Sequence, residues 1–477
     1  MNVKTILAYA VGPIGSAILS FASLPLIAWF FSTEDVGKIA IFNVVVSLST
    51  LVLCLGLDQA FVREYHGSEN KVRLLKSVIF PGLLLLLLFI FGNIIFDPRL
   101  ISELIFDYSS LSLSILVIIC FTAQYFSRFL SLILRMQDRA LAYSMSQLLP
   151  KLFFVIFLIA GVSLGLERNI LQLLSAHTLS ACLVLFIYLF NTWRDWLPAV
   201  TAKIDLSQMR PLLHFGLPLV FGSLASWGLN VADKLFLRYY STFSELGIYS
   251  VTMSVATVAT LFAGIFNTIW APLVYRWLNN GQVDNKKIDE IGEHVLAAIY
   301  FAIVCCSLLS WTVPYILPKQ YMTIEYLLPI CLFAPLLYTL SEVTAVGIAI
   351  SRRTLFSMLA SVIAMLTNIL GNFLLVPQFG AVGAATSTLL SFIVFYILRT
   401  EFSKQLWRPI STKKSYTILT LLTSHVLLNV WIIRGHYTGI IFSAGLLMLG
   451  IFIFSNTIKK LWTSISKNVS SLNKVRS

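Results

Sequence analysis

Seven charged side chains stand in stretches that are otherwise apolar: Asp58, Arg128, Lys151, Asp233, Lys234, Arg238 and Glu342. Charge inside a spanning helix is costly, so such residues mark a cargo path, a gate or a paired group. The four cations can hold an anionic group. The carboxylates Asp58, Asp233 and Glu342 can exchange a coupling ion or close a gate, Glu342 by pairing with Arg128. Catalysis is not what they suggest. Glu293-His294 lacks the spacing of a metal site, and neither a phosphate-cradling P-loop nor a Gly-Xaa-Ser-Xaa-Gly nucleophile elbow occurs. No catalytic residue, metal ligand or cofactor is assigned.

The elements that must position these charges are membrane helices. Of 477 residues, 58% are hydrophobic and 12% charged, and a mean hydropathy of +0.86 exceeds what a water-soluble core can use. The apolar blocks run for roughly 20 residues without alternation, which fits helices and excludes a β-barrel. The fold class is all-α and polytopic. Six cysteines fall inside these blocks with no partner at metal spacing, and read as small core residues. The net charge of +13 is concentrated in the even-numbered connections and at both termini. That is the positive-inside pattern: it places both ends in the cytoplasm and needs no nucleic-acid partner.

The spacing predicts about fourteen spans, near 6–31, 38–58, 74–96, 111–134, 143–165, 170–190, 211–238, 245–275, 293–317, 325–350, 355–377, 380–399, 416–434 and 437–458. The first is longer than a signal-peptide core and lacks a convincing cleavage site, so it stays as a span. Trp29-Phe-Phe-Ser-Thr-Glu-Asp-Val-Gly37 reads like Arg238-Tyr-Tyr-Ser-Thr-Phe-Ser-Glu-Leu-Gly247 with one residue inserted. Ile133–Arg139 and Ile348–Arg353 repeat at an offset of about 214 positions, which puts Glu342 at the place of Arg128. Two six-helix bundles in parallel orientation follow, 1–200 and 201–410. An appended transmembrane hairpin at 411–458 and a basic cytoplasmic tail at 459–477 complete the chain.

Polar residues recur at helical spacing. Gln124, Arg128, Ser131 and Arg135 share one face, as do Asn43, Ser47, Cys54 and Asp58. Ser223, Ser226, Asn230 and Asp233 form a third stripe; Asn267 extends one in the eighth span, and Asn368 with Asn372 another in the eleventh. Lipid cannot satisfy such stripes, so they face protein or water. Stripes from both halves are expected to line a central cavity, with interhelical hydrogen bonding as the other reading.

Asp233–Ser241 followed by Glu245–Ser250, and Asn372–Ala385, resemble the signatures of Wzx-type polysaccharide exporters. These belong to the multidrug/oligosaccharidyl-lipid/polysaccharide superfamily, with lipid II flippases and MATE-type drug extruders as other branches. The resemblance covers nearly the whole chain. It implies two bundles around a lumen, and a flippase moving undecaprenyl-pyrophosphate-linked oligosaccharide, such as an O-antigen repeat unit, across the inner membrane. Many members have twelve spans; the extra hairpin resembles the lipid II flippases.

On that reading Arg128 and Lys151 face each other near the inner mouth as the first contact for a pyrophosphate, with Lys234 and Arg238 on the release side. Gln124, Asn230, Asn267, Asn368 and Asn372 serve the sugars. Snorkelling of the cations to the interface is the competing account, and a solvated cap that for Asp58. H+ or Na+ is the expected coupling ion, and a polysaccharide polymerase and chain-length regulator are candidate partners. Rival functions are a lipid II or drug exporter, and a membrane-embedded polymerase or glycosyltransferase, for which the short connections leave little room.

Overall fold

The computed structural model describes residues 3–279, 285–351, 353, 355–434 and 437–460. Among these the chain is helical throughout, and ten helices are long and apolar enough to cross a membrane. It is a multi-pass membrane protein of all-α class. Contacts divide it into two compact units, Met1–Arg238 with Thr242–Ser250, and Tyr239–Ser241 with Val251–Ser477.

The first unit begins with α1 (Val3–Phe30), α2 (Thr33–Cys54), the short α3 (Leu57–Glu64) and α4 (Lys71–Phe96). It continues through α5 (Leu100–Phe106), α6 (Leu111–Met136), α7 (Ala140–Ser163), α8 (Ile170–Asn191), α9 (Trp193–Thr201) and α10 (Leu206–Tyr240). Local chemistry sets the starts of several. Ser32, Asn70, Ser110 and Asn169 each turn a side-chain oxygen onto a backbone N–H of the first turn, at α2, α4, α6 and α8. Glu34 and Asp35 add favourable charge at the positive end of α2. Leu55 and Gly56, both left-handed, break the path between α2 and α3.

α10 bends by 62° between Gly228 and Asn230. Contacts place nearly all of it in the first unit, which runs about forty residues beyond the lobe boundary read from the repeat. The repeated motifs explain this, because they pack on each other. Thr33 Oγ1 and Ser244 Oγ are 2.7 Å apart. A Cβ on Gly37 would collide with the carbonyl oxygen of Phe243, and one on Gly247 with that of Thr33. The start of α11 (Phe243–Asn279) is thereby held against the start of α2.

The second unit holds the rest of α11 with α12 (Asn285–Leu309), α13 (Val313–Ile316), α14 (Ile324–Cys331), α15 (Phe333–Thr344) and α16 (Val346–Ile350). It ends with α17 (Leu355–Leu406), α18 (Lys413–Leu428) and α19 (Tyr437–Ile453). α17 is two helical arms joined at Gly380, whose φ of 51° and ψ of −127° suit only glycine. The arms fold back antiparallel, so Asn368 meets Thr388 and Gly371 lies on Ser387. The predicted break between 377 and 380 falls at this turn.

α12 anchors the last hairpin. Tyr300 donates to the Leu446 carbonyl at 2.6 Å, and Gly450 leaves room for its ring. Asp289 pairs with Arg408 at 2.5 Å, Glu290 with Lys460 at 2.7 Å, and Glu293 with Lys414. In a bilayer such hydrogen bonds and close packing hold helices together, because lipid tails are as apolar as the core.

Candidate functional site

In the first unit α6 carries the stripe expected of it, and four helices turn that stripe into a cavity. Gln124, Ser127 and Arg128 of α6 meet Tyr143 and Gln147 of α7 and Tyr188 of α8 around a space of about 290 Å3. Thr50 of α2 closes one side. Arg128 lies eight residues from Met136, the end of α6, roughly 12 Å along the axis.

Arg128 donates to Asp58 through Nη2 at 2.6 Å and Nε at 3.0 Å, both to Oδ2. The carboxylate side chain is 12% exposed and the guanidinium 39%. Asp58 is therefore not a solvated cap: the break at Leu55–Gly56 sets it in the first turn of α3, where the helix dipole favours its charge. No hydrogen bond within the protein engages Gln124, Ser127 or Gln147 among the described residues.

The expected meeting of Arg128 with Lys151 does not occur. Gln147 and Pro150 face the cavity, whereas Lys151, about 100° further round α7, reaches α1. There its Nζ donates to the Ser16 carbonyl at 3.3 Å and to Ser20 Oγ. It has no carboxylate partner among the described residues.

Glu342 is paired within the second unit. Arg399, on the second arm of α17, donates through Nη1 to Glu342 and to Ser341 Oγ, each at 2.7 Å. Trp270 donates to the Glu342 carbonyl at 3.1 Å. The side chains of Arg399 and Glu342 are 11% and 24% exposed. Arg128 and Glu342 thus each have a counter-charge within their own unit, Asp58 for the one and Arg399 for the other.

The remaining candidates scatter. Arg238 binds Asp107 at 2.5 Å and the Leu104 carbonyl at 3.3 Å, tying α10 to α5. Asp233 accepts from the Tyr249 hydroxyl, and Lys234 beside it is half-buried. Asn230 donates to Ser226 one turn earlier at 2.7 Å. Asn368 and Asn372 are buried: Asn372 donates to Asn368 at 3.0 Å, and Asn368 to Thr388 at 3.2 Å, across the α17 hairpin. The side chain of Asn267 and the tail 461–477 lie outside the described residues.

A second, open basin of about 1560 Å3 in the first unit was not anticipated. Arg63, Arg73, Arg210 and His214 line it alongside Glu64 and Asp205, so its charge is mixed. Hydrogen bonds from the Ser207 hydroxyl and the Gln208 N–H hold the Asp205 carboxyl below the usual carboxylate range.

Residues 3–277 match the family model described as polysaccharide biosynthesis protein. The chain is 24% identical to an uncharacterised membrane protein of Methanocaldococcus jannaschii, covering 85% of each chain. It is 21% identical to the probable low-salt glycan biosynthesis flippase Agl15 of Haloferax volcanii, over 88% of this chain and 86% of that one. Among solved structures it matches the lipid II flippase MurJ, inward closed conformation, with a TM-score of 0.68 and 15% identity, over 96% of this chain and 99% of that one. That likeness establishes the fold.

Proposed function

This chain belongs to the polysaccharide biosynthesis protein family, and from that premise we propose that it is a carrier which flips a lipid-linked saccharide between membrane leaflets. The single observation that supports it best is the cavity around Arg128. A hydrogen-bonding chamber with a paired arginine on its wall, built inside apolar spans, is costly unless something polar passes through it. A drug extruder would gain little from such a lining, and no role for it as a catalytic centre is apparent.

The finer reading is an undecaprenyl-pyrophosphate-linked oligosaccharide, such as an O-antigen repeat unit, carried across the bacterial inner membrane with both termini in the cytoplasm. Lys151, a cation without a carboxylate partner among the described residues, is the better candidate for the diphosphate than the neutralised Arg128. Alternating access coupled to H+ or Na+ would drive net movement, and a polymerase with its chain-length regulator would receive the product.

Reconstitution tests this. Proteoliposomes holding a lipid-linked oligosaccharide should expose it to an impermeant lectin or glycosidase only when the protein is present. Accumulation should exceed equilibration when a pH or Na+ gradient is imposed. Absence of flipping by folded protein would end the carrier reading; flipping indifferent to both gradients would remove the coupling alone.

A further inference from the structure

The Arg128 cavity is electrically balanced, and that limits what it can hold. Asp58 accepts two hydrogen bonds from Arg128, so the positive charge that Arg128 brings to the wall is balanced at contact distance. A diphosphate entering here would have to take the guanidinium away and leave a largely buried carboxylate unpaired beside it. Breaking a buried pair in that way is strongly unfavourable. An apolar ligand is excluded for another reason, since it would strip water from amides and hydroxyls and return no hydrogen bonds.

What remains unengaged is a set of neutral groups. Gln124 and Gln147 each offer a donor and an acceptor, and Ser127 offers both from one oxygen. Adjacent hydroxyls on a ring present the same alternation. Tyr143 and Tyr188 add aromatic surface for the ring's C–H faces. The volume of about 290 Å3 lies at the lower end of small-molecule sites, which suits one ring and not a chain.

We propose that this cavity is a saccharide subsite, taking a single neutral, hydroxyl-rich ring of the cargo through Gln124, Ser127 and Gln147. The proposal rests on the carrier reading for its cargo. The charged headgroup stays outside, on the other face of α7, where Lys151 is. Arg128 then has two roles: paired Nε and Nη2 fix its plane against Asp58, and Nη1 is left to donate to a hydroxyl.

Saturation-transfer NMR on the whole protein in nanodiscs reads the site directly. The probes are methyl α-glucopyranoside, methyl α-galactopyranoside and methyl N-acetyl-β-glucosaminide, with inorganic pyrophosphate as the anion. At least one glycoside should show transfer that falls about fivefold in Gln147→Leu, the loss of one ordinary hydrogen bond. Gln147→Asn, shorter but still an amide, should retain part of it, and Gln405→Leu, at an exposed position of the second unit, all of it. Pyrophosphate should broaden in a Gln147-dependent way only in Asp58→Asn, where Arg128 is no longer neutralised.

Glycoside transfer equal in wild type and Gln147→Leu overturns the proposal, as does Gln147-dependent pyrophosphate binding to the wild type. Failure of the carrier reading looks different. There the glycosides still bind, but the reconstituted protein moves no lipid-linked oligosaccharide.

Discussion

The repeat puts a guanidinium at 128 in α6 and, about 214 residues later, a carboxylate at 342 in α15. Each finds its counter-charge inside its own unit, Arg128 from α3 and Glu342 from the second arm of α17. The surroundings then diverge. Around Arg128 the neighbours are amides and hydroxyls lining open volume. Around Glu342, Arg399 also donates to Ser341, Trp270 donates to the Glu342 carbonyl, and Val343 and Val346 pack beside the indole. Positions related by the sequence repeat thus differ in the sign of the charge, in the partner helix and in what lies beside it. Pairing alone therefore does not mark a site; pairing beside unengaged polar side chains that line open volume does.

The sharpest way to break this comparison is Arg399→Ala. If the second pair is purely structural, stranding Glu342 should cost about 3–5 kcal/mol in thermal or denaturant unfolding of the purified protein. Replacing both partners, Glu342→Met with Arg399→Leu, should recover most of that loss and keep flipping. A double variant that is stable but does not flip would put the second pair in the transport path.

Arg128→Ala strands Asp58, whose side chain is 12% exposed, so stability should fall by a comparable amount; transport is what should separate the two variants. Flipping should drop about ten- to a hundredfold, the range expected for losing a charge-assisted hydrogen bond of about 1.5–3 kcal/mol. Initial rates in proteoliposomes decide it, and a wild-type rate would make the two pairs equivalent.

The smallest expected effect is on pH. Bonds from Ser207 and Gln208 lower the Asp205 pKa, so its contribution to the start of α10 is complete above the usual carboxylate range and is lost as acid titrates the folded carboxyl. Lys460 runs the other way: Glu290 raises its pKa, so that pair is intact below the ordinary lysine range and is lost as alkali passes the raised value. Hydrogen exchange should show acid loosening the first unit at α10 and alkali loosening the second near α12. Asp205→Asn and Lys460→Gln should each abolish one response alone.

Much of the scaffold was legible because it depends on period and punctuation. The turn at Gly380 and the repeated motifs at Thr33 and Ser244 both follow from apolar length, glycine and similarity along the chain. The site was only half legible, because helical spacing defines a face without saying which helix it meets. Arg128 and Gln124 were found this way, but Asp58 became a partner only when α3 folded back from 70 positions away. Charge drew attention to Lys151, while Ser146 and Gln147 one turn earlier in α7, at the spacing of a polar stripe with Tyr143, line the cavity. For Asn368 and Asn372 the sequence left lining of a cavity and interhelical hydrogen bonding both open, because the predicted hairpin does not fix the register that brings Thr388 within reach.

The join between the starts of α2 and α11 is unlike the seat of Tyr300 on α19. In the latter an aromatic ring fills a groove, and parting the helices would leave a void to be refilled. At Gly37 and Gly247 main chain lies on main chain, with the Thr33 and Ser244 hydroxyls as the adjoining side-chain contact. Such a seam has no room for even one methyl group, so alanine at either glycine would wedge the two helix starts apart.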